Sequence, residues 1–417
     1  MVNCKKLSNG ITVVFEKMPY LRSAAFGLWV KVGSSNENDD NNGISHIIEH
    51  MLFKGTKTRT AKQIADDMAK IGGDINAYTS KECTSFYAVT LDEHLEIAIE
   101  IIGDMINNSL LDEKALEKEK GVIIEEIDMY DDSPEDLVHE MLQMKVWKHH
   151  SLGYQISGSK KTVRSVTRQQ IIDFMEQYYV SENMVISVAG NFEENQIMDL
   201  LEVHFSAVKK GPRQPDCTAP IYRPTIYTKE KDVEQLHLNI AFESVPADTE
   251  EKYALTILNS VFGGSINSRL FQVIRENLGL TYTIYSYGSA YKKAGLYQIY
   301  GAMNPIQLEA VIQNTFEIIE DIKTNGLTDD EIIMTKEQIK TELILGNESA
   351  KNRMNSNGKS ILFKDYITPL EETILKINAV NKDEITDFAK RYLVKENCSF
   401  SLVGNLNNVN IDLNVKS

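Results

Sequence analysis

The chain contains two histidines and one glutamate whose spacing suits a metal site. His46, Glu49 and His50 form the pattern H-x-x-E-H. Because each residue of an α-helix turns by roughly 100°, side chains four positions apart point in nearly the same direction and can reach one ion. Two neutral nitrogen ligands beside a carboxylate that can accept a proton from water are the groups that a zinc hydrolase needs. Their order is the inverse of the commoner H-E-x-x-H.

The residues around this pattern favour a partly buried helix. Polar residues and a glycine at 41–45 form an entry typical of a helix N-terminus. Apolar residues surround the histidines, and Lys54 and Gly55 provide a typical C-terminal end. The alternative is a helix with two incidental histidines. The apolar flanks disfavour that alternative because a buried imidazole needs a partner.

Length and composition exclude several classes of function. A chain of 417 residues is too long for one compact core, so two or more domains are expected. The net charge of −16 and the lack of a basic stripe argue against nucleic acid as a partner. The four cysteines include no C-x-x-C pair, which is typical of a reducing compartment. With no evident leader or long apolar run, the sequence predicts a cytoplasmic protein without a membrane partner.

One segment of the chain is repeated. Residues 166–192 resemble residues 380–406, at a shift of 214 positions. Both copies have the pattern of an amphipathic helix, a turn and an apolar strand that ends in Gly-Asn. Such self-similarity indicates two domains with the same fold, and the Pro, Gly and Lys residues between them are typical of a linker. We therefore predict a first domain at 1–208, a linker at 209–224 and a second domain at 225–417.

Each predicted domain mixes strands and helices. In the first domain, strand-like runs at 74–79 and 84–90 are separated by a short turn. Helix-like runs at 95–106 and 113–130 follow them. Hairpin-like pairs beside long helices indicate an α+β fold. We expect two tandem homologous domains, each with a mainly antiparallel sheet covered by helices.

A third zinc ligand is expected on the acid-rich helix at 115–130, because catalytic zinc is usually held by three protein ligands. Glu119 and Glu126 lie seven positions apart along the border of the apolar stripe of this helix, whereas Glu125 points to the opposite side. Burial therefore favours Glu126 as the ligand and Glu119 as a carboxylate that would form a hydrogen bond to one of the ligands and orient it. The alternative is that all these glutamates belong to a solvated face.

The repeat also bears on the number of metal sites. The positions equivalent to the three ligands in the second domain carry Ser260, Gly264 and Lys340. None of these residues is a usual zinc ligand. The sequence therefore predicts one Zn²⁺ per chain, bound in the first domain.

Together these residues resemble the inverzincin peptidases of the pitrilysin–insulysin family. The similarity is closest to the half-length branch that includes mitochondrial processing peptidase and bacterial processing-peptidase-like zinc proteases. It rests on His46-x-x-Glu49-His50, on Glu126 and on the flanking residues within 43–56, and it extends over essentially the whole chain. The resemblance implies that the two histidines and Glu126 hold zinc, and that Glu49 is the catalytic base of a peptidase.

The resemblance implies roles for four further residues. Asn76 and Ala77 match the family's edge strand, to which an extended peptide adds by main-chain hydrogen bonds. An ordinary hairpin is the alternative. Arg275 and Tyr282 match a pair whose donors contact the substrate carbonyl and its developing oxyanion. Without the resemblance, an Arg and a Tyr in a polar loop would indicate no function.

The resemblance also implies an assembly and a substrate class. Full-length members of the family enclose a chamber between two halves, and this chain corresponds to one half. A homodimer is therefore expected, in which the zinc of one subunit is paired with Arg275 and Tyr282 of the other. A closed chamber favours short or unfolded peptides as substrates. The competing prediction is a non-catalytic structural or assembly subunit of the same fold, which the intact ligands and Glu49 disfavour.

Overall fold

The computed structural model describes residues 2–407. Among these residues, no helix combines the length and the apolar character needed to cross a membrane. The helices are α1 Ile44–Leu52, α2 Ala61–Lys70, α3 Leu95–Asn108, α4 Glu113–Asp132, α5 Pro134–Val146, α6 Lys160–Ser165, α7 Arg168–Tyr178, α8 Glu194–Phe205, α9 Lys252–Phe262, α10 Leu308–Asn325, α11 Asp329–Gly346, α12 Ala350–Lys364, α13 Leu370–Ala379 and α14 Lys382–Tyr392. The strands are β1 Val2–Lys6, β2 Thr12–Lys17, β3 Ser23–Val30, β4 Asp74–Thr79, β5 Thr84–Leu91, β6 Met184–Gly190, β7 Ile226–Glu230, β8 Leu236–Ser244, β9 Thr281–Ala290, β10 Gly295–Met303 and β11 Ser399–Gly404.

These elements form two compact units, each assembled from three segments of the chain. The first unit comprises the chain up to Ile127, together with Tyr154–Cys217 and Ile344–Thr368. The remaining described residues form the second unit. The predicted domains 1–208 and 225–417 are continuous in sequence, so their boundaries differ from those of the compact units.

The first unit is built on a six-stranded sheet in the order β1-β2-β6-β3-β5-β4. Neighbouring strands are antiparallel except β2 and β6, which are parallel. Apolar residues of α1, α3, α4, α7 and α8 pack on one face of this sheet and form its main core. Strand β4 lies at an edge of the sheet, next to β5.

The second unit repeats this design with a five-stranded sheet in the order β7-β11-β8-β10-β9. Its neighbouring strands are antiparallel except β7 and β11. Apolar residues of α9, α10 and α14 form the core on one face. Both units therefore combine a mainly antiparallel sheet with covering helices, which confirms the predicted α+β fold.

Both copies of the sequence repeat form the same structure. Helix α7 leads into β6 in the first copy, and α14 leads into β11 in the second. Each strand ends at a glycine in the left-handed region, Gly190 with φ +126° and Gly404 with φ +145°. A Cβ atom would lie 2.4 Å from the Ser23 carbonyl oxygen at the first position and 2.7 Å from that of Gln235 at the second. The shared Gly-Asn sequence thus reflects a backbone turn that requires glycine.

One helix from each half of the sequence packs on the sheet formed mainly by the other half. In the first unit, α12 covers β3 and β6, and its Met354 lies in a buried cluster with Trp29. Gly358 of α12 permits this approach, because a Cβ there would lie 2.4 Å from the Trp29 ring. In the second unit, α5 covers β8 and β11. The units are discontinuous in sequence because of these two helices.

Candidate active site

Helix α1 carries the H-x-x-E-H pattern, and Glu37 holds its N-terminus. The first helical residue is preceded by Gly43, which has φ +100° and provides no side-chain cap. Instead the Glu37 carboxylate accepts hydrogen bonds from the N–H of Gly43 at 2.7 Å, the N–H of Ser45 at 2.8 Å and the amide of Asn42 at 2.8 Å. Burial raises the pKa of Glu37, and these bonds oppose the rise. The carboxylate replaces the missing cap and lies at the positive end of the helix dipole.

The two histidines of α1 lie one turn apart and direct their Nε2 atoms toward each other. The Nε2 atoms of His46 and His50 are 3.2 Å apart. Burial, followed by the smaller effect of the His50 charge, lowers the pKa of His46 to about 4. His46 is therefore neutral at pH 7 and has a nitrogen lone pair available for a metal ion.

Helix α4 brings Glu126 to the same point. Its Oε2 lies 3.8 Å from His46 Nε2 and 3.7 Å from His50 Nε2. Among residues 2–407, this is the one group of metal-binding side chains whose ligand atoms converge, all within 4.8 Å of one another. In a tetrahedral zinc site, bonds of about 2.0–2.1 Å place ligand atoms roughly 3.3 Å apart. The spacing and the chemistry of the three side chains therefore fit zinc.

Glu119 contacts the ring nitrogen of His50 that faces away from the other two ligands. Its side chain is 5% exposed, and its Oε1 accepts a hydrogen bond from His50 Nδ1 at 2.9 Å. Its Oε2 lies 2.8 Å from Lys54 Nζ. Burial raises the pKa of Glu119, but the hydrogen bonds from Lys54 and His50 outweigh burial and hold the pKa below its usual value. An ionised Glu119 keeps the proton of His50 on Nδ1 and leaves Nε2 free for the metal.

Glu49 provides a further carboxylate on α1, one position before His50. Its Oε2 accepts a hydrogen bond from Thr79 Oγ1 at 2.5 Å. Burial raises the pKa of Glu49, and the hydrogen bond from Thr79 opposes the rise without cancelling it. A carboxylate with a raised pKa is a stronger proton acceptor, so the arrangement suits a general base.

Asn76 and Ala77 lie in β4, the edge strand of the first sheet. They are paired with Tyr87 and Phe86 of β5. Asn76 Oδ1 accepts a hydrogen bond from the Ala77 N–H at 2.8 Å. Because an edge strand can pair with an extended peptide, this position is compatible with the role expected for the two residues.

Comparison with known proteins decides the family. Residues 12–160 match the insulinase family, peptidase family M16, and residues 165–339 match the peptidase M16 inactive domain. An uncharacterized zinc protease of Bacillus subtilis is 40% identical over 97% of this chain and 98% of its own length. The chain belongs to peptidase family M16. The family inferred from the sequence is thereby confirmed, and the relative's name supports zinc protease activity in general terms.

Solved structures share the M16 fold over nearly the whole chain. A protease from Helicobacter pylori has a TM-score of 0.90 at 20% identity, covering 97% of this chain and 99% of that protein. A chain of complex III2 from Candida albicans has a TM-score of 0.86 at 18% identity, covering 99% of this chain and 98% of that one. At these identities the likeness shows the fold alone.

Arg275 and Tyr282 lie within the M16 inactive-domain match and in the second unit. Arg275 belongs to a π-helical segment, Phe271–Asn277, and Tyr282 lies in β9. The guanidinium of Arg275 stacks over the Tyr282 ring at 4.8 Å and over the Phe271 ring at 4.4 Å. Tyr282 is 77% exposed. The structure thus brings this pair together, with the tyrosine open to solvent.

Sequence reasoning missed three residues that shape the site of this M16 protein. Glu37 caps α1, Lys54 neutralises Glu119 and Thr79 binds Glu49. The sequence contained one indication of a role at the site for Thr79. It lies two positions after Ala77, so the period of a strand places both side chains on the same face of β4.

Proposed function

We propose that this M16 protein is a zinc-dependent endopeptidase. His46, His50 and Glu126 would hold one zinc ion, and Glu49 would act as the base. The observation that carries the proposal is the convergence of three ligand atoms within 4.8 Å on two helices of one unit. A general base beside a three-ligand metal site is the arrangement that peptide hydrolysis requires.

Each residue would contribute a separate part of the reaction. When bound, zinc supplies a Lewis acid that polarises a water molecule and the substrate carbonyl. Glu49 accepts a proton from the attacking water and donates it to the leaving amine. Glu119 orients His50, and Lys54 favours the ionised form of Glu119.

The proposed substrates are short or unfolded peptides. An extended peptide can pair with the main chain of β4 at Asn76 and Ala77, and such pairing tolerates varied side chains. Folded proteins expose few segments that can add to a sheet edge in this way. The donors of Arg275 and Tyr282 would stabilise the negative charge that develops on the substrate carbonyl.

We further propose a homodimer that encloses a chamber. Each active site would combine the zinc residues of one subunit with Arg275 and Tyr282 of the other. The proposal is supported by the correspondence of this chain to one half of the full-length members of the family. The zinc residues and the Arg–Tyr pair also belong to different compact units of the chain.

Zinc content and peptide hydrolysis test the proposed function together. We expect the purified full chain to contain one zinc per chain and to cleave members of a panel of internally quenched, unfolded peptides. A zinc chelator should abolish cleavage, and added zinc should restore it, because the base alone cannot polarise the carbonyl. A fully zinc-loaded protein that leaves every peptide intact would contradict the proposal.

Mixed dimers test the composite site. We expect Glu49→Gln and Arg275→Ala homodimers to be nearly inactive, because each lacks one part of both sites. A heterodimer of the two variants should regain one complete site, and thus about half the wild-type activity per dimer, as measured by peptide cleavage after subunit exchange. Two different affinity tags would verify the exchange. A heterodimer that forms and remains inactive would exclude the composite site.

Two observations favour a second candidate function, a structural subunit without catalysis. A chain of complex III2 from Candida albicans shares the fold, and the M16 family includes domains described as inactive. The three converging ligand side chains and Glu49 weigh against this function. A protein that binds no zinc and is purified in a stable complex with other subunits would favour it.

A further inference from the structure

The general base of the proposed reaction is held by a residue from a different element. Thr79 is the last residue of β4, and its Oγ1 lies 2.5 Å from Glu49 Oε2. Because an ionised carboxylate only accepts hydrogen bonds, the Thr79 hydroxyl is the donor. The end of β4 is therefore in direct contact with the carboxylate of α1.

The Glu49 carboxylate needs a hydrogen bond from outside helix α1 to fix its orientation. The last torsion of a glutamate side chain is broad, so helix α1 alone does not fix the plane of the Glu49 carboxylate. The bond from Thr79 to Oε2 restricts this rotation and leaves the other oxygen, Oε1, available for proton transfer. Orientation matters because a displacement of about 1 Å can reduce the rate of an enzymatic step by about 100-fold.

Thr79 also lies on the strand that is expected to bind the peptide. It follows Asn76 and Ala77 in β4 and pairs with Thr84 of β5. The same short strand therefore offers a sheet edge to the substrate and a hydrogen bond to the base. The register between the bound peptide and the Glu49 carboxylate is then set within a single element rather than across a flexible connection.

We propose that Thr79 is a positioning residue, which orients the Glu49 carboxylate from the end of the substrate-binding strand. The inference rests on the proposed peptidase function. The hydroxyl of Thr79 is the group that orients Glu49. The size of the Thr79 side chain and its contribution to the strand are not required for this role. A role in binding the peptide directly is the competing explanation, and the two roles differ in whether kcat or peptide affinity changes.

Two variants at this position separate the hydroxyl from the shape of the side chain. Thr79→Val keeps the branched shape and removes the donor, and we expect it to lower kcat about 10- to 100-fold with KM within twofold of wild type. Thr79→Ser keeps the donor and should retain at least half of the wild-type kcat. Thr90→Val is the matched control, because the Thr90 hydroxyl donates its hydrogen bond to the Leu91 carbonyl. Its kcat should remain at the wild-type value, and zinc content should be equal in all four proteins.

Peptide affinity is measured without turnover in the Glu49→Gln background. The dissociation constants of a quenched peptide for Glu49→Gln and for Glu49→Gln/Thr79→Val should agree within twofold. A weaker affinity in the double variant, with a matching rise in KM in Thr79→Val, would show that Thr79 binds the peptide and would overturn the proposal. A wild-type kcat in Thr79→Val would overturn it as well.

A crystal structure of Thr79→Val separates this inference from the proposed function. We expect the Glu49 carboxylate to rotate or to become disordered, with His46, His50 and Glu126 unchanged. That result would support the inference even if the wild-type protein cleaved no peptide. An unchanged Glu49 carboxylate would overturn the inference even in an active peptidase.

Discussion

Replacing Glu49 with glutamine should leave zinc bound and lower kcat for peptide cleavage by about two to four orders of magnitude. Glutamine has nearly the same shape as glutamate but cannot accept a proton from water. Its carbonyl oxygen can still accept the hydrogen bond from Thr79. The three metal ligands are other side chains, so their geometry does not depend on the charge of residue 49. The reaction would thus lose its base and keep its metal.

Three measurements check this expectation on the same preparation. Metal analysis should give wild-type zinc content, thermal unfolding should give a midpoint close to wild type, and quenched-peptide cleavage should fall to near background. A peptide should still bind, because β4 and its edge are unchanged. Cleavage at more than a tenth of the wild-type rate by the zinc-loaded variant would exclude Glu49 as the base.

The parts of the site that follow helical periodicity could be predicted from the sequence. The spacing of His46 and His50 placed two nitrogens on one face of α1, and the structure has their Nε2 atoms 3.2 Å apart. The apolar stripe of α4 separated Glu126 from Glu125, and the structure buries Glu126 partly while Glu125 is exposed. Both results depend only on the local helix and on which side of it faces the core.

The packing of α5 and α12 could not be predicted in this way. Each helix lies within one half of the sequence but packs in the compact unit formed mainly by the other half. An amphipathic pattern shows that a helix has a buried face and does not show which sheet covers that face. In the first unit, Gly358 fits closely against Trp29, and this contact joins residues more than 300 positions apart.

The sequence also did not reveal Glu37 and Thr79, which position the site residues, because their contacts depend on tertiary packing. Glu37 lies six positions before Gly43 and reaches the helix start through a loop that has no periodic pattern. Thr79 meets Glu49 only because β4 packs beside α1. A buried polar side chain with partners distant in sequence is specified by the tertiary structure, so a single sequence gives little indication of its role.

Replacing Glu126 with glutamine should weaken zinc binding by more than about 100-fold. Loss of a residue that only supports a metal ligand typically costs about 10- to 100-fold in metal affinity, and Glu126 would be a ligand itself. The neutral amide leaves two imidazoles as the only strong ligands, which is fewer than catalytic zinc sites use. Peptide cleavage should be lost at low free zinc and should return only in part when zinc is in excess.

The neighbouring residue provides a matched control for this change. Glu125→Gln removes the same charge from the same turn of α4, but the Glu125 side chain is exposed, so its zinc affinity and kcat should equal those of wild type. Glu119→Gln should give an intermediate result, with zinc affinity lowered about 10- to 100-fold, because it removes the anionic acceptor of the His50 Nδ1–H. Competition with a fluorescent zinc chelator measures all three affinities. Equal zinc affinities in Glu126→Gln and Glu125→Gln would mean that Glu126 is not a ligand.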